Sequence, residues 1–305
     1  MLTNLLSLYI ASVIQDSTPS AFNLREDPSP SIVRTASANL SDIEESKFIP
    51  LKNPELLSPV IKANASLAMD LRTGVILFEN NSHDRLQIAS LTKLMTATII
   101  VEENNLDEVV TVSRNAAQAT GSIMYLVAGE TISIENLLYG LLLPSSNDAA
   151  LALAEHNAGT VDAFVEKMNK KALALGLLNT HFSNPVGLDN KNNYSSAYDL
   201  AKLSQYVYQK QLIKEIAATP KIKVHSSDSK YTHNLESTNE LLGNEFINFK
   251  GLKTGTTDQA GLCIISVAEN ETGNEILTVL LHSPDRFSET KILADWIFRA
   301  YNWQR

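Results

Sequence analysis

The apolar positions of this chain fall into three successive patterns. Residues 63–80, "ANASLAMDLRTGVILFEN", hold two apolar runs around Asp70 to Gly74, which predicts a β-hairpin with Gly74 suited to the turn. In "SLTKLMTATIIVEEN" (residues 90–104), Leu91, Leu94, Met95 and Ile99 recur at helical spacing. "DEVVTVS" predicts a short strand. The middle is mostly helical: "SIENLLYGLLL", stopped by Pro144, then "NDAALALAEHN" and "TVDAFVEKMNKKALALGL", the latter with Gly176 near its end. "SSAYDLAKLSQYVYQ" is a further helix, with Ser196 and Asp199 at capping-box spacing. The last third returns to strands, "FKGLKTG", "GLCIISVAEN" and "NEILTVLLHS", with "ETGN" as a hairpin connection, and closes on an amphipathic segment, "SETKILADWIFRAYNW". There is no internal repeat. Strands, helices, strands, helix: this order predicts an α+β domain whose sheet is completed by distant segments, with a helical insert between them.

Upstream the pattern changes. Leu5 to Ile14 form an apolar stretch too short to span a bilayer comfortably. Residues 1–15 read as an export signal or membrane anchor, although no Lys or Arg precedes the stretch and Ala36-Ser37-Ala38, a small-x-small site, lies far downstream. Residues 16–60, rich in Ser, Pro, Thr and Asn without sustained periodicity, read as a disordered linker. The folded domain is expected over residues 61–305.

Composition narrows the function classes. The 305 residues are 44% hydrophobic and 19% charged, as expected of a globular core. A net charge of -9 and a pI of about 5.2 argue against a nucleic-acid partner, which would need a basic surface. The single cysteine, Cys263, allows no internal disulfide and sits in the apolar run "AGLCIISVA", where a buried, inert thiol is expected. The six His never form an HxH or HxxxH pair, so neither a metal nor a cofactor is expected.

Three short motifs carry chemistry. Ser90 and Lys93 stand at i and i+3, sharing a face if the segment is helical. Serine attacks only when something removes its proton, and lysine does that only when neutral, so the site must depress its pKa by burial or by a second cation. Ser145-Ser146-Asn147 follow an apolar helix and Pro144. They read either as a cap for the next helix or as a proton-relaying hydroxyl (Ser145) and a substrate-binding amide (Asn147). Lys253-Thr254-Gly255 end an apolar strand. They read either as a polar strand end with a glycine turn or as the second cation, with Thr254 and Thr256 donating to a carboxylate and Gly255 leaving room for a substrate along the strand edge.

Ser-x-x-K, Ser-x-Asn and Lys-Thr-Gly in this order are the signature set of the penicillin-recognising serine enzymes. More narrowly, the chain from about residue 62 resembles the D-alanyl-D-alanine carboxypeptidases, the low-molecular-mass penicillin-binding proteins of serine peptidase family S11. "MDLRTGVILFENN" resembles that family's opening hairpin, "IASLTKLMTA" its nucleophile segment, "FSNPVGLDNKNNYSSAYDLAKLS" its Asn-Pro-x-Gly-Leu and Ser-x-x-Asp-Leu-Ala stretch, and "DRFSETKILADWIF" its closing helix. Ser146 departs from the usual Gly of the second motif.

The resemblance implies a β-lactamase/transpeptidase-like fold, an antiparallel sheet of about five strands flanked by helices with a helical subdomain beside it. It implies removal of the terminal D-Ala from peptidoglycan stem peptides outside the cytoplasm, and inhibition by β-lactams. Ser90 is then the nucleophile, Lys93 the general base and Ser145 the proton relay. Asn147 holds the substrate backbone, Lys253, Thr254 and Thr256 the terminal carboxylate, and the N–H groups of Ser90 and Thr256 form the oxyanion hole. Arg286 is a further carboxylate contact, or a plain surface arginine. Since the chain stops after the closing helix, any membrane attachment falls to the N-terminal segment; a monomer is the default. The rivals are a D,D-endopeptidase or a β-lactamase on the same residues, and a non-catalytic penicillin-binding sensor. Against a β-lactamase, "NPVGLDNKNNYSS" carries only Asp189 as an acid where a deacylating carboxylate is needed.

Overall fold

Apolar runs from the two ends of the folded region meet in one sheet. The computed structural model describes residues 49–303. In chain order the strands are β1 (Leu51–Lys52), β2 (Ala65–Asp70), β3 (Ile76–Asn80), β4 (Leu86–Gln87), β5 (Val109–Thr111), β6 (Thr131–Ser133), β7 (Tyr194–Ser195), β8 (Lys221–His225), β9 (Thr232–Glu236), β10 (Asn248–Thr257), β11 (Gly261–Glu269), β12 (Glu275–Ser283) and β13 (Tyr301–Asn302). The helices are α1 (Lys93–Glu103), α2 (Arg114–Ala117), α3 (Ile134–Leu142), α4 (Asn147–Ala158), α5 (Val161–Ala174), α6 (Ala197–Val207), α7 (Gln211–Ala217) and α8 (Arg286–Ala300). The main sheet runs β10-β11-β12-β2-β3, antiparallel throughout, so β10 is an edge strand.

Both faces of that sheet are covered. Along β2, Leu67 and Met69 join one core and Ala68 the other; along β12, Leu277, Val279 and Leu281 go one way and Ile276 and Leu280 the other. The period of two therefore feeds two layers, and the strands read as unbroken apolar runs. The larger core lies under α1 and α3 to α6; the smaller is closed by Leu293, Ala294, Trp296 and Ile297 of α8. Each Leu or Ile buried this way contributes about 1.5–3 kcal/mol.

Helix α1 runs through the helical layer, packed on α3, α4, α5 and α6. Lys93 to Ile100 are all buried, so this stretch of the helix is enclosed on every side. Its threonines find partners: Thr98 Oγ1 donates to Leu94 O (2.7 Å) and Thr96 Oγ1 to Pro185 O (2.8 Å). The Ser196 cap forms as the spacing predicts, accepting from Asp199 N at 3.1 Å. The reciprocal half of the box does not, because the Asp199 carboxylate holds Asn179 N and Thr180 Oγ1 instead.

Two features differ from the sequence reading. The fold starts before residue 61, inside the stretch read as linker: Leu51 and Lys52 pair with Asn302 and Tyr301. Two-residue pairing of this kind leaves no periodicity to detect. The β8–β9 hairpin and α7 also carried no clear pattern, since β9 alternates around polar residues, "THNLE". The expected signal or anchor, and the linker up to residue 48, lie outside the described residues. No helix among the described residues is long and apolar enough to cross a membrane.

Candidate active site

Ser90 is not part of α1. Ala89–Thr92 form a 3-10 turn and the α-helix begins at Lys93. The i, i+3 spacing survives this correction, because a 3-10 turn eclipses residues three apart, and Lys93 Nζ lies 3.1 Å from Ser90 Oγ. Two glycines bring other segments onto the turn. A Cβ on Gly187 (φ +88°) would lie 2.0 Å from Ala89 O, and one on Gly255 would lie 2.9 Å from Ser90 N. The room at Gly255 is thus taken by the nucleophile turn itself rather than left for a ligand, which corrects the reason the sequence offered for that glycine.

The surroundings of Lys93 specify its protonation. Its side chain is fully buried, and burial first, then the charge of Lys253, hold its pKa well below 10.5. Besides Ser90, its Nζ meets Asn147 Oδ1 at 2.7 Å and Val186 O at 2.6 Å. Both are acceptors only; the amide orientation is set by Asn147 Nδ2 donating to Thr120 O at 2.7 Å. A neutral amine has two N–H groups for these two acceptors. Its lone pair then remains for the Ser90 hydroxyl proton, the arrangement a general base needs.

The carbonyl of Val186 was not visible as a site group, since it is main chain. It is presented by Asn184, whose Oδ1 accepts the N–H groups of Val186, Gly187 and Leu188 (3.2, 2.7 and 3.2 Å). The turn residues of "NPVGL" were its only signal.

At the second motif the capping reading fails. Ser146 occupies the N-cap of α4 but its side chain makes no cap bond. Ser145 has φ +64°, and its buried Oγ has no hydrogen-bond partner among the described residues. A buried hydroxyl without a partner costs about 1–3 kcal/mol. Asp148, one residue past Asn147, is also buried; its carboxylate accepts Met124 N (3.1 Å) and Leu126 N (3.0 Å) and so fixes the loop that carries Thr120.

The third motif supplies the cation. Lys253 is buried and donates to Thr254 O at 2.9 Å. Burial, then the Arg286 charge, lower its pKa to about 7. The Thr238 and Thr254 hydroxyls lie 2.5 Å apart and either can donate to the other, while Thr238 Oγ1 also lies 3.3 Å from Leu143 O. Exposed Thr256 keeps a donor: its hydroxyl accepts from Arg286 Nη1 at 2.6 Å, leaving its own proton free, while the same Nη1 holds Gly255 O at 2.9 Å. Arg286 opens α8, where a cation opposes the helix dipole; its contacts with β10 account for the placement. Asp189 is exposed and its carboxylate accepts Gln259 N at 3.3 Å. Cys263 is buried, and burial pushes its thiol up to about 11.

The family model for D-alanyl-D-alanine carboxypeptidases, Peptidase S11, matches residues 53–284. The chain belongs to this family. Among S11 relatives, the D-alanyl-D-alanine carboxypeptidase DacF of Bacillus subtilis (strain 168) is 34% identical over 248 residues, covering 79% of this chain and 63% of the relative. The chain thus spans just under two thirds of that relative's length. The D-alanyl-D-alanine endopeptidase of Pseudomonas aeruginosa is 35% identical over 211 residues, 68% of each protein. The Streptomyces K15 DD-transpeptidase superposes with a TM-score of 0.73 at 30% identity, over 80% of this chain and 99% of that one. Penicillin binding protein 6B of Escherichia coli gives 0.72 at 33%, over 81% of each. The α+β transpeptidase-like fold expected from the sequence is therefore the fold of this S11 chain.

Proposed function

We propose that this chain is a serine-type D-alanyl-D-alanine carboxypeptidase acting on peptidoglycan stem peptides, and hence outside the cytoplasm. The observation that carries the reading is Lys93: buried, depressed in pKa, with two acceptors for its two N–H groups and the Ser90 hydroxyl within reach. Ser90 Oγ attacks the carbonyl of the penultimate D-Ala while its proton passes to Lys93. The N–H groups of Ser90 and Thr256 receive the oxyanion, each donor being worth about 3–4 kcal/mol; the packing of Gly255 on Ser90 N supports this pairing. The C–N bond then breaks, and the leaving D-Ala amine takes a proton relayed through Ser145, whose hydroxyl has no competing partner among the described residues. Water hydrolyses the acyl-enzyme by the same path in reverse. Asn147 orients the substrate backbone. Lys253, Thr256 and the Arg286 charge behind it attract the terminal carboxylate, with Thr254 and Gly255 shaping the strand edge.

Among the described residues no carboxylate hydrogen-bonds Ser90 or Lys93, which favours a long-lived penicilloyl-enzyme over lactam turnover. A D,D-endopeptidase would use the same groups, and the Pseudomonas relative carries that activity in its name. The test is acylation by a fluorescent penicillin followed by intact mass. A slowly released adduct on the wild type, absent in Ser90→Ala, is expected, and release of D-Ala from an acyl-D-Ala-D-Ala peptide should exceed cleavage of a cross-linked dimer. No adduct on folded protein would favour a non-catalytic binding module.

A further inference from the structure

Tyr125 lies in the loop between α2 and β6 with φ +66° and a side chain that is 77% exposed. A bulky residue in the left-handed region persists only where its surroundings over-determine it. Here they do. On one side Met124 N, and on the other Leu126 N, donate to the buried Asp148 carboxylate. Met124 O meets His233 Nδ1 at 2.9 Å, and His233 Nε2 meets Glu130 Oε1 at 2.7 Å. The other Glu130 oxygen accepts Val127 N at 3.0 Å. Asp148, Glu130 and His233 are all buried, as are the side chains of Met124 and Leu126. Three buried ionisable groups therefore fix the backbone around a ring that packs little of itself on the protein.

The same loop is fastened to the site. Thr120 O accepts from Asn147 Nδ2 and Ser122 O from Asn147 N, both at 2.7 Å. A Cβ on Gly121 would lie 3.0 Å from Asn147 Nδ2. The loop thus rides on the residue that, in the reading above, orients the substrate backbone. The substrate part next beyond that backbone is the side chain preceding D-Ala-D-Ala. An aromatic face covers a methylene chain well without needing a hydrogen bond from it.

We propose that Tyr125 is a substrate-contacting residue. Its ring walls the cleft on the Asn147 side and selects peptides with a long aliphatic side chain immediately before D-Ala-D-Ala. This rests on the carboxypeptidase reading. The test compares diacetyl-Lys-D-Ala-D-Ala with acetyl-Gly-D-Ala-D-Ala on the full chain, for wild type, Tyr125→Gly and Tyr125→Phe. Glycine accepts the left-handed backbone and so separates loss of the ring from loss of the loop. For Tyr125→Gly, kcat/KM on the Lys peptide should fall about tenfold, chiefly through KM. The Gly peptide should change less than about twofold, the thermal midpoint should not drop, and Tyr125→Phe should restore the Lys preference. An equal loss on both peptides would make Tyr125 a structural residue and overturn the proposal, as would no loss on either. Failure of the wild type to cleave either peptide or to acylate would instead overturn the carboxypeptidase reading, and this inference with it.

Discussion

Replacing Lys253 by Met should make the folded protein more stable and less able to react. Lys253 is 1% exposed, and its folded pKa of about 7 stands against an ordinary 10.5. At pH 7 the unfolded chain carries the proton fully while the folded chain carries about half, so linkage places a penalty of about 4 kcal/mol on folding. The penalty is complete below pH 7, where both states are protonated. It fades as pH rises from 7 to 10.5, stability climbing by about 1.4 kcal/mol per unit. Methionine fills similar volume with no charge to bury. It forfeits the Lys253 Nζ–Thr254 O bond, worth about 1 kcal/mol. The net gain is about 3 kcal/mol at pH 7, or roughly 6–12 °C in thermal midpoint for a domain of this size, shrinking to nothing near pH 10. Urea titrations of both proteins at pH 7, 8, 9 and 10 measure this directly, alongside penicillin acylation, which should drop. A stability difference that stays constant across those pH values would refute the claim that Lys253 is buried at the expense of its charge.

Other outcomes follow from the same geometry. Acylation of Ser90 should rise with pH through a midpoint well below lysine's ordinary 10.5, and Lys253→Met should move that midpoint upward, since the Lys253 charge no longer opposes protonation of Lys93; stopped-flow acylation across pH reads both. Asn184→Ala leaves three N–H groups without their acceptor and frees Val186 O, so acylation should slow about 10- to 100-fold with a stability loss of about 2 kcal/mol. Gly187→Ala puts a Cβ 2.0 Å from Ala89 O in a left-handed backbone, and should lower stability by about 3 kcal/mol or more and acylation with it; a variant with wild-type melting would contradict the packing. Asp148→Asn turns an N–H group toward Met124 N or Leu126 N, costing about 1–3 kcal/mol by chemical denaturation.

The three motif segments were legible because their chemistry resides in side chains. A serine, a lysine, an amide and a second lysine in fixed order imply a nucleophile, a base, a substrate-binding group and a second cation before any coordinates are known. The sheet was legible because β2, β11 and β12 are buried on both faces, which leaves an uninterrupted apolar signal. What escaped was of another kind. Val186 acts through its carbonyl, and no residue type advertises that. Gly255 was read from the ligand's side, whereas its contact is with Ser90 N. Thr254 was read as a donor to a carboxylate, and its residue type does not announce that the Thr238 hydroxyl, sixteen positions earlier, lies 2.5 Å from its own. Ser145 and Ser146 looked like caps because caps are local, and in this fold neither hydroxyl bonds the helix it precedes.

The short pairing of β1 with β13 has a mechanical side. Leu51 faces Asn302 and Lys52 faces Tyr301, antiparallel, so the chain enters and leaves the fold at neighbouring points. Trp303 Nε1 anchors the exit on Asp70, which lies level with Phe249 across the sheet, far along β10 from Thr256. Tension applied to the two ends would load this clasp as a zipper, breaking its bonds one after another at low force. Peeling would consume that end of the molecule first, and the strand end that packs Gly255 on Ser90 would be among the last to feel it.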